Sequence, residues 1–182
     1  MIKLEPQKAA FLLVDVQEKL FPHVDHACDM LERQLLLISG LKLLEVPMLV
    51  TEQYPKGLGP TIKPLQDVLG EKTYYPSKTT FSAAADEGIK AQINAQGRSQ
   101  YIVAGIEAHV CVLQTVRDLI KLGKEVVVVN DAISSRSIYD FSSGIAEMRD
   151  MGARISSTET VLFELFHDAK HPQFKALSAL IK

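Results

Sequence analysis

Continuous apolar runs alternate with segments of helical periodicity along the chain. Four runs read as buried strands, at residues 9–16, 48–51, 101–104 and 125–131. Continuous apolar strands are typical of parallel sheets that are covered on both faces. Shorter segments at residues 72–75 and 154–156 extend the prediction to six strands, and Pro76 places the former at a sheet edge.

Helical periodicity fills the intervals between these strands. The predicted helices cover residues 25–45, 64–69, 83–95, 110–122, 138–151, a segment from 158 and 171–181. No internal repeat or linker-like composition separates two halves. The pattern therefore predicts one α/β domain over residues 1–182, a three-layer α/β/α sandwich with a mostly parallel sheet.

Composition excludes some classes of partner. Hydrophobic residues make up 47% of the 182 residues, and the formal net charge is −2. We expect neither a nucleic acid nor a membrane as partner, because no basic run occurs and no apolar stretch spans a bilayer. The first eight residues lack the apolar core of a signal peptide, and the two cysteines, Cys28 and Cys111, form no metal-type pair. We therefore expect a cytoplasmic protein.

Cys111 is the first candidate for chemistry. The strand run ends at Gly105, and helical periodicity starts at Val110, so Cys111 falls in the first turn of a helix. Unpaired N–H groups and the helix dipole stabilise a thiolate there, which predicts a nucleophile with a lowered pKa. The alternative is a small apolar residue that packs the helix start, which is also the role expected for Cys28.

Asp15 and Lys78 are the other two candidates. Asp15 ends the first strand and Lys78 follows the third, so both belong at the carboxyl edge where open α/β sheets bind ligands. Asp15 could instead cap a loop, and Lys78 could be an ordinary surface lysine. The glycine-rich nucleotide motifs and the Gly-x-Ser-x-Gly elbow do not occur in the sequence.

The ordered set of these segments resembles the isochorismatase-like cysteine hydrolase family, in its uncharacterised isochorismatase-domain branch. The matching pieces are residues 12–17 (LLVDVQ), 78–82 (KTTFS), 105–112 (GIEAHVCV) and 130–136 (NDAISSR). The resemblance implies a six-stranded parallel sheet in the order 3-2-1-4-5-6. It also implies a catalytic triad of Asp15, Lys78 and Cys111, a non-proline cis peptide before Glu107, and a dimer or higher homo-oligomer.

The triad suits acyl transfer. Lys78 would favour the thiolate, and Asp15 would take the thiol proton and return it to the leaving group. The oxyanion of the intermediate would bind the backbone N–H groups of Glu107 and Cys111. Candidate walls of the substrate pocket are Phe21, Tyr54, Phe81 and Ile133, because each flanks a loop at the carboxyl edge; each could equally belong to the core.

Departures from known subgroups limit the substrate. Residues 52–60 contain no His and no Asp, so a metal site like that of the family's nicotinamidases is not expected, and no cofactor is implied. The presence of Cys111 disfavours the vinyl-ether hydrolysis of true isochorismatases, which lack it. An acidic side chain at Glu107 would repel an anionic substrate if it faced the pocket.

The sequence thus predicts a metal-independent cysteine hydrolase that acts on a small amide, imide or ester through a thioester intermediate. Two alternatives stay open at this point. One is an oligomeric interaction protein that keeps the triad as a relic, and the other is a redox-responsive thiol protein that uses Cys111.

Overall fold

The computed structural model describes residues 2–182 and contains one six-stranded parallel sheet. Its strands are β1 (Ala9–Val14), β2 (Met48–Gln53), β3 (Ser77–Lys78), β4 (Gln100–Ile106), β5 (Glu125–Ser134) and β6 (Arg154–Ser156). The strand order is β3-β2-β1-β4-β5-β6, which confirms the predicted sheet.

Helices cover both faces of the sheet. They are α1 (Ala27–Leu43), α2 (Pro55–Leu58), α3 (Lys63–Leu69), α4 (Glu87–Ala95), α5 (Leu113–Lys121), α6 (Ile138–Asp150), α7 (Thr158–Phe166) and α8 (Phe174–Ile181). Helix α1 packs against β5, α3, α7 and α8, whereas α5 packs against α6. Among residues 2–182, no helix is both long and apolar enough to cross a bilayer.

The two central strands form the middle of the core. Every residue of β1 and of β4 is buried, as their continuous apolar sequences predict. All strands are parallel, but the chain adds strands on one side of β1 up to β3 and on the other side from β4 onward. Sheets of this kind bind ligands in a crevice at the carboxyl ends of the two strands where the order reverses, here β1 and β4. Asp15 follows β1 directly, and the Cys111 segment follows β4.

The third strand is not where the sequence pattern placed it. Residues 72–75 form no strand, and β3 consists of Ser77 and Lys78, which pair with Glu52 and Gln53 of β2. Tyr74 is 70% exposed, so the β-propensity of this segment does not reflect packing in a sheet. Pairing with β2 decides the strand position, because strand propensity depends on neighbours across the sheet.

Two further boundaries differ from the prediction. The segment around Cys111 begins as a π-helix, Ala108–Val112, and becomes α-helical only at Leu113. Strand β5 extends to Ser134, past an irregularity in its pairing with β4. The expected loop after residue 131 is therefore partly strand, which brings Ile133 and Ser134 beside Gly105 and Ile106.

Candidate active site

Asp15 and Lys78 form a fully buried ion pair at the carboxyl edge of the sheet. The Nζ atom of Lys78 lies 2.6 Å from Oδ2 of Asp15, and neither side chain is exposed. Asp15 has a φ of 54°, a left-handed conformation that is uncommon outside glycine and clusters at functional sites. A buried ion pair recovers its desolvation cost only with further hydrogen bonds, so its polar surroundings matter.

Those further hydrogen bonds come largely from β2, which separates the strands that carry the pair. The Thr51 hydroxyl donates to Oδ1 of Asp15 at 2.7 Å, and Lys78 donates to Oε1 of Gln53 at 2.7 Å. Lys78 also donates to the carbonyl oxygens of Thr80 and Phe81, at 3.2 and 3.0 Å. Sequence reasoning missed Thr51 and Gln53. Three consecutive polar residues, 51–53, at the end of an apolar strand were the available signal.

Cys111 completes the cluster from the π-helix that follows β4. Cys111 is 6% exposed, and its thiol is close enough to Asp15 and Lys78 for both charges to act on it. Burial raises the pKa of the thiol to about 12, and the Asp15 carboxylate and the charge of Glu107 act in the same direction. The positive charge of Lys78 lowers this pKa.

The expectation of a lowered Cys111 pKa is therefore wrong for this structure. The helix start and Lys78 favour the thiolate, but the burial of the thiol beside two carboxylates, which local sequence does not reveal, outweighs them. The expected packing role of Cys28 in the first helix is also wrong, because Cys28 is exposed. At neutral pH the structure thus holds Cys111 as a buried thiol.

The backbone between β4 and Cys111 has two unusual features. The peptide bond between Ile106 and Glu107 is cis, as the family resemblance implies. Gly105 has a φ of 130°, and a Cβ atom there would lie 2.2 Å from the carbonyl oxygen of Val14. Only glycine lets β4 approach β1 this closely at the point where Asp15 follows.

Glu107 is paired with Arg136 beside the thiol. The Nε atom of Arg136 lies 2.6 Å from Oε1 of Glu107, whose side chain is 13% exposed. Both residues line a surface cavity of about 500 Å³ together with Leu20 and His23. Glu107 thus faces a cavity, as considered from the sequence, but its charge is balanced by the guanidinium.

The four predicted pocket residues do not line one common cavity. Ile133 lines a cavity of about 260 Å³ between the starts of α1 and α6, separate from the cavity at Glu107. Phe21 is partly buried against the core. Tyr54 and Phe81 are 55% and 54% exposed and line neither of these two cavities.

Other side chains near the cluster have structural contacts. His109, expected at the pocket rim or in a structural role, has its Nδ1 atom 2.9 Å from the Ser135 hydroxyl. Within residues 2–182, no three His, Cys, Asp or Glu side chains are grouped closely enough to hold a metal ion. Near the end of β2, the Glu52 carboxylate instead accepts hydrogen bonds from the backbone N–H and hydroxyl of Thr61.

Comparisons with known proteins assign the class to which this fold and site belong. The family model for the isochorismatase domain matches residues 9–160. The chain belongs to the isochorismatase family, which confirms the resemblance seen in the sequence.

Individual relatives and solved structures match nearly the whole chain. Isochorismatase domain-containing protein 1 of Danio rerio is 37% identical over 98% of this chain, which covers 62% of that relative's length. The structure of MAR1 ribonuclease from Caenorhabditis elegans is 36% identical in sequence and has a TM-score of 0.93, and the match covers 99% of this chain and 92% of that chain. The YcaC gene product of Escherichia coli is described as an octameric hydrolase of unknown specificity. It is 26% identical with a TM-score of 0.94, and the match covers 100% of this chain and 90% of that chain.

Proposed function

We propose that this protein is a metal-independent cysteine hydrolase that cleaves a small amide, imide or ester. The observation that carries the proposal is the buried Asp15–Lys78 ion pair beside the buried Cys111 thiol. A charged pair in this position is costly to keep for stability alone, and perturbed ionisable groups cluster at functional sites. Membership of the isochorismatase family, whose name and neighbours indicate hydrolysis, supports the reaction class.

The thiol pKa defines the first step of the mechanism. Because Cys111 is protonated at neutral pH, attack by its Sγ atom on the substrate carbonyl must accompany proton loss. Asp15 lies within reach of the thiol proton and takes it as a general base. The positive charge of Lys78 stabilises the negative charge while the proton moves from Sγ to Asp15. In this mechanism the thiol loses its proton only during attack, whereas the sequence predicts a thiolate that is present before attack.

The remaining steps return the proton and free the enzyme. Backbone N–H groups of Glu107 and Cys111 stabilise the oxyanion of the tetrahedral intermediate. Asp15 donates its proton to the leaving amine or alcohol as the bond to the carbonyl carbon breaks, which leaves a thioester on Cys111. Asp15 then takes a proton from water, and the hydroxide adds to the thioester carbon. The C–S bond of this second tetrahedral intermediate breaks, Asp15 returns the proton to Sγ, and the carboxylic acid is released.

A panel of small amides, imides and esters tests this proposal with three proteins. Asp15→Asn keeps the shape of the side chain but cannot take the proton, so turnover should fall by roughly 100-fold or more. Lys78→Met removes the only neighbour that lowers the Cys111 pKa, and it should also lower turnover. Mass spectrometry of the wild type under turnover should show an acyl adduct on Cys111.

Asp131→Asn is the matched control. Oδ1 of Asp131 accepts hydrogen bonds from the backbone N–H and hydroxyl of Thr158 at the start of α7. The amide oxygen of asparagine can accept the same two hydrogen bonds. Its turnover should stay at the wild-type level. Unchanged turnover in Asp15→Asn would contradict the mechanism. A wild type that hydrolyses nothing on the panel would favour an interaction protein that retains the triad.

A further inference from the structure

We propose that Thr51 and Gln53 of β2 are positioning residues that hold Asp15 and Lys78 in their reactive arrangement. The inference rests on the proposed function and extends it to two side chains that do not touch the reacting atoms. Strand β2 lies between β1 and β3, so it separates the strand before Asp15 from the strand that contains Lys78. Residues two apart on a strand share a face, which points Thr51 and Gln53 at the same site.

Thr51 fixes the carboxylate. Its hydroxyl donates to Oδ1 of Asp15 at 2.7 Å, while Lys78 donates to Oδ2 at 2.6 Å, so each oxygen has its own donor. The backbone N–H of Asp15 in turn donates to the carbonyl oxygen of Thr51 at 3.1 Å. All of these groups are buried, so water does not replace a lost donor. Thr51 therefore sets the orientation of the Asp15 carboxylate through both its side chain and its backbone.

Gln53 fixes the ammonium. Its Oε1 atom accepts from Lys78 at 2.7 Å, and its Nε2 atom donates to the carbonyl oxygen of Thr79 at 2.9 Å, which determines the amide orientation. The buried Gln17 holds the Gln53 backbone on both sides. Gln53 N–H donates to Oε1 of Gln17 at 2.7 Å, and Nε2 of Gln17 donates to the Gln53 carbonyl oxygen at 3.0 Å. The position of Lys78 thus depends on a chain of hydrogen bonds that starts at Gln17.

The charged groups around the ion pair determine which groups a change at Thr51 or Gln53 can affect. Lys78 and the Cys111 thiol face Asp15, and Glu107 acts on the thiol while it is paired with Arg136. Glu52, between the two positioning residues, bonds to Thr61 instead. A change at Thr51 or Gln53 should therefore act through Asp15, Lys78 and Cys111.

The first arm of the test compares Thr51→Val with Thr51→Ser. Valine has nearly the same shape but removes the donor to Oδ1 of Asp15, so kcat should fall about tenfold or more while KM stays close to the wild-type value. Serine restores the hydroxyl and should recover most of the lost kcat. A role in packing alone would lower thermal stability in Thr51→Val and leave kcat in place, which would overturn the proposal for Thr51.

The second arm uses alkylation of Cys111 at pH 9, which needs no substrate. Gln53→Glu places a second carboxylate against Lys78, so less positive charge is left for the thiolate and the alkylation rate should fall at least threefold. Gln53→Met loses the acceptor without a change in charge, so it should lower turnover and leave the alkylation rate within twofold of the wild type. Both variants carry Cys28→Ser, so that only Cys111 reacts.

Gln100→Met is the matched control for Gln53. Gln100 is buried at the amino end of β4, at the opposite edge of the sheet from Lys78, and its amide donates to the carbonyl oxygen of Lys3 at 2.7 Å, so neither readout should change. Wild-type alkylation in Gln53→Glu, or an equal effect in Gln100→Met, would overturn the proposal for Gln53. If no substrate is found, the alkylation arm still decides the role of Gln53, so failure of the proposed hydrolysis and failure of this inference remain distinguishable.

Discussion

At the scale of single residues, burial outweighs the local features that usually activate a cysteine. The start of a helix and a neighbouring lysine both favour a thiolate, yet desolvation and the nearby Asp15 carboxylate raise the pKa of Cys111 to about 12. In the mechanism proposed above, the proton stays on sulfur until a substrate binds and Asp15 takes it. The same burial makes the thiol a poor target for general oxidants and alkylating agents.

The reactivity of Cys111 should reveal this balance directly. In the Cys28→Ser protein, iodoacetamide should react slowly at pH 7 because almost all of the thiol is protonated. The rate should climb about tenfold per pH unit between pH 7 and 10, because only the thiolate reacts and the pKa lies above this range. Adding Lys78→Met should slow the reaction further at each pH.

The wild type provides the internal comparison. Cys28 is exposed, so peptide mapping should find it alkylated well before Cys111 at pH 7. If the alkylation rate of Cys111 stops rising with pH before pH 8, the raised pKa is contradicted. The thiolate predicted from the sequence would then be the better account.

At the scale of the elements, the close approach of β4 to β1 builds the site. Val14 pairs with Gly105, and the segments that follow these two residues carry Asp15 and Cys111. The π-helix Ala108–Val112 then turns Cys111 back over the strand ends. Helix α6 packs closely on this segment, because a Cβ atom at Gly144 would lie 3.2 Å from the carbonyl oxygen of Ala108.

Gly105→Ala tests the requirement for this approach. The new Cβ atom would overlap the backbone of Val14, so the free energy of unfolding should fall by about 3 kcal/mol or more. Gly97→Ala is the control, since Gly97 also has a positive φ, of 63°, but has no atom within 4 Å of the new Cβ. It should lose only about 1–2 kcal/mol. Urea unfolding measures both, and equal losses would show that backbone conformation rather than contact with β1 matters.

At the scale of the whole molecule, the surface points to assembly. Helix α1 packs into the core, and α8 buries Leu177. The large exposed apolar side chains are Tyr54, Tyr74, Phe81, Ile138, Tyr139, Phe163 and Leu180. Tyr54, Phe81 and Ile138 follow the carboxyl ends of β2, β3 and β5, the edge that carries the candidate site.

The expected consequence is a homo-oligomer, and the described structure of the YcaC gene product is octameric. Multi-angle light scattering at micromolar concentration should give a mass that is a multiple of 20.1 kDa. The same measurement in 1 M salt separates apolar from ionic association, since salt screens only the latter. A mass of 20.1 kDa throughout the concentration series would reject the prediction.

The sequence by itself determined the class of fold, because apolar runs of strand length alternate with helical periodicity at every step. Its ordered segments also placed Asp15, Lys78 and Cys111 at the carboxyl edge, since the ends of parallel strands meet there. The tertiary structure decided the rest. It located β3 by pairing with β2, it added Thr51 and Gln53, and it reversed the expected shift of the Cys111 pKa. Each of these depends on groups that are distant in the chain and on burial, neither of which local residue patterns report.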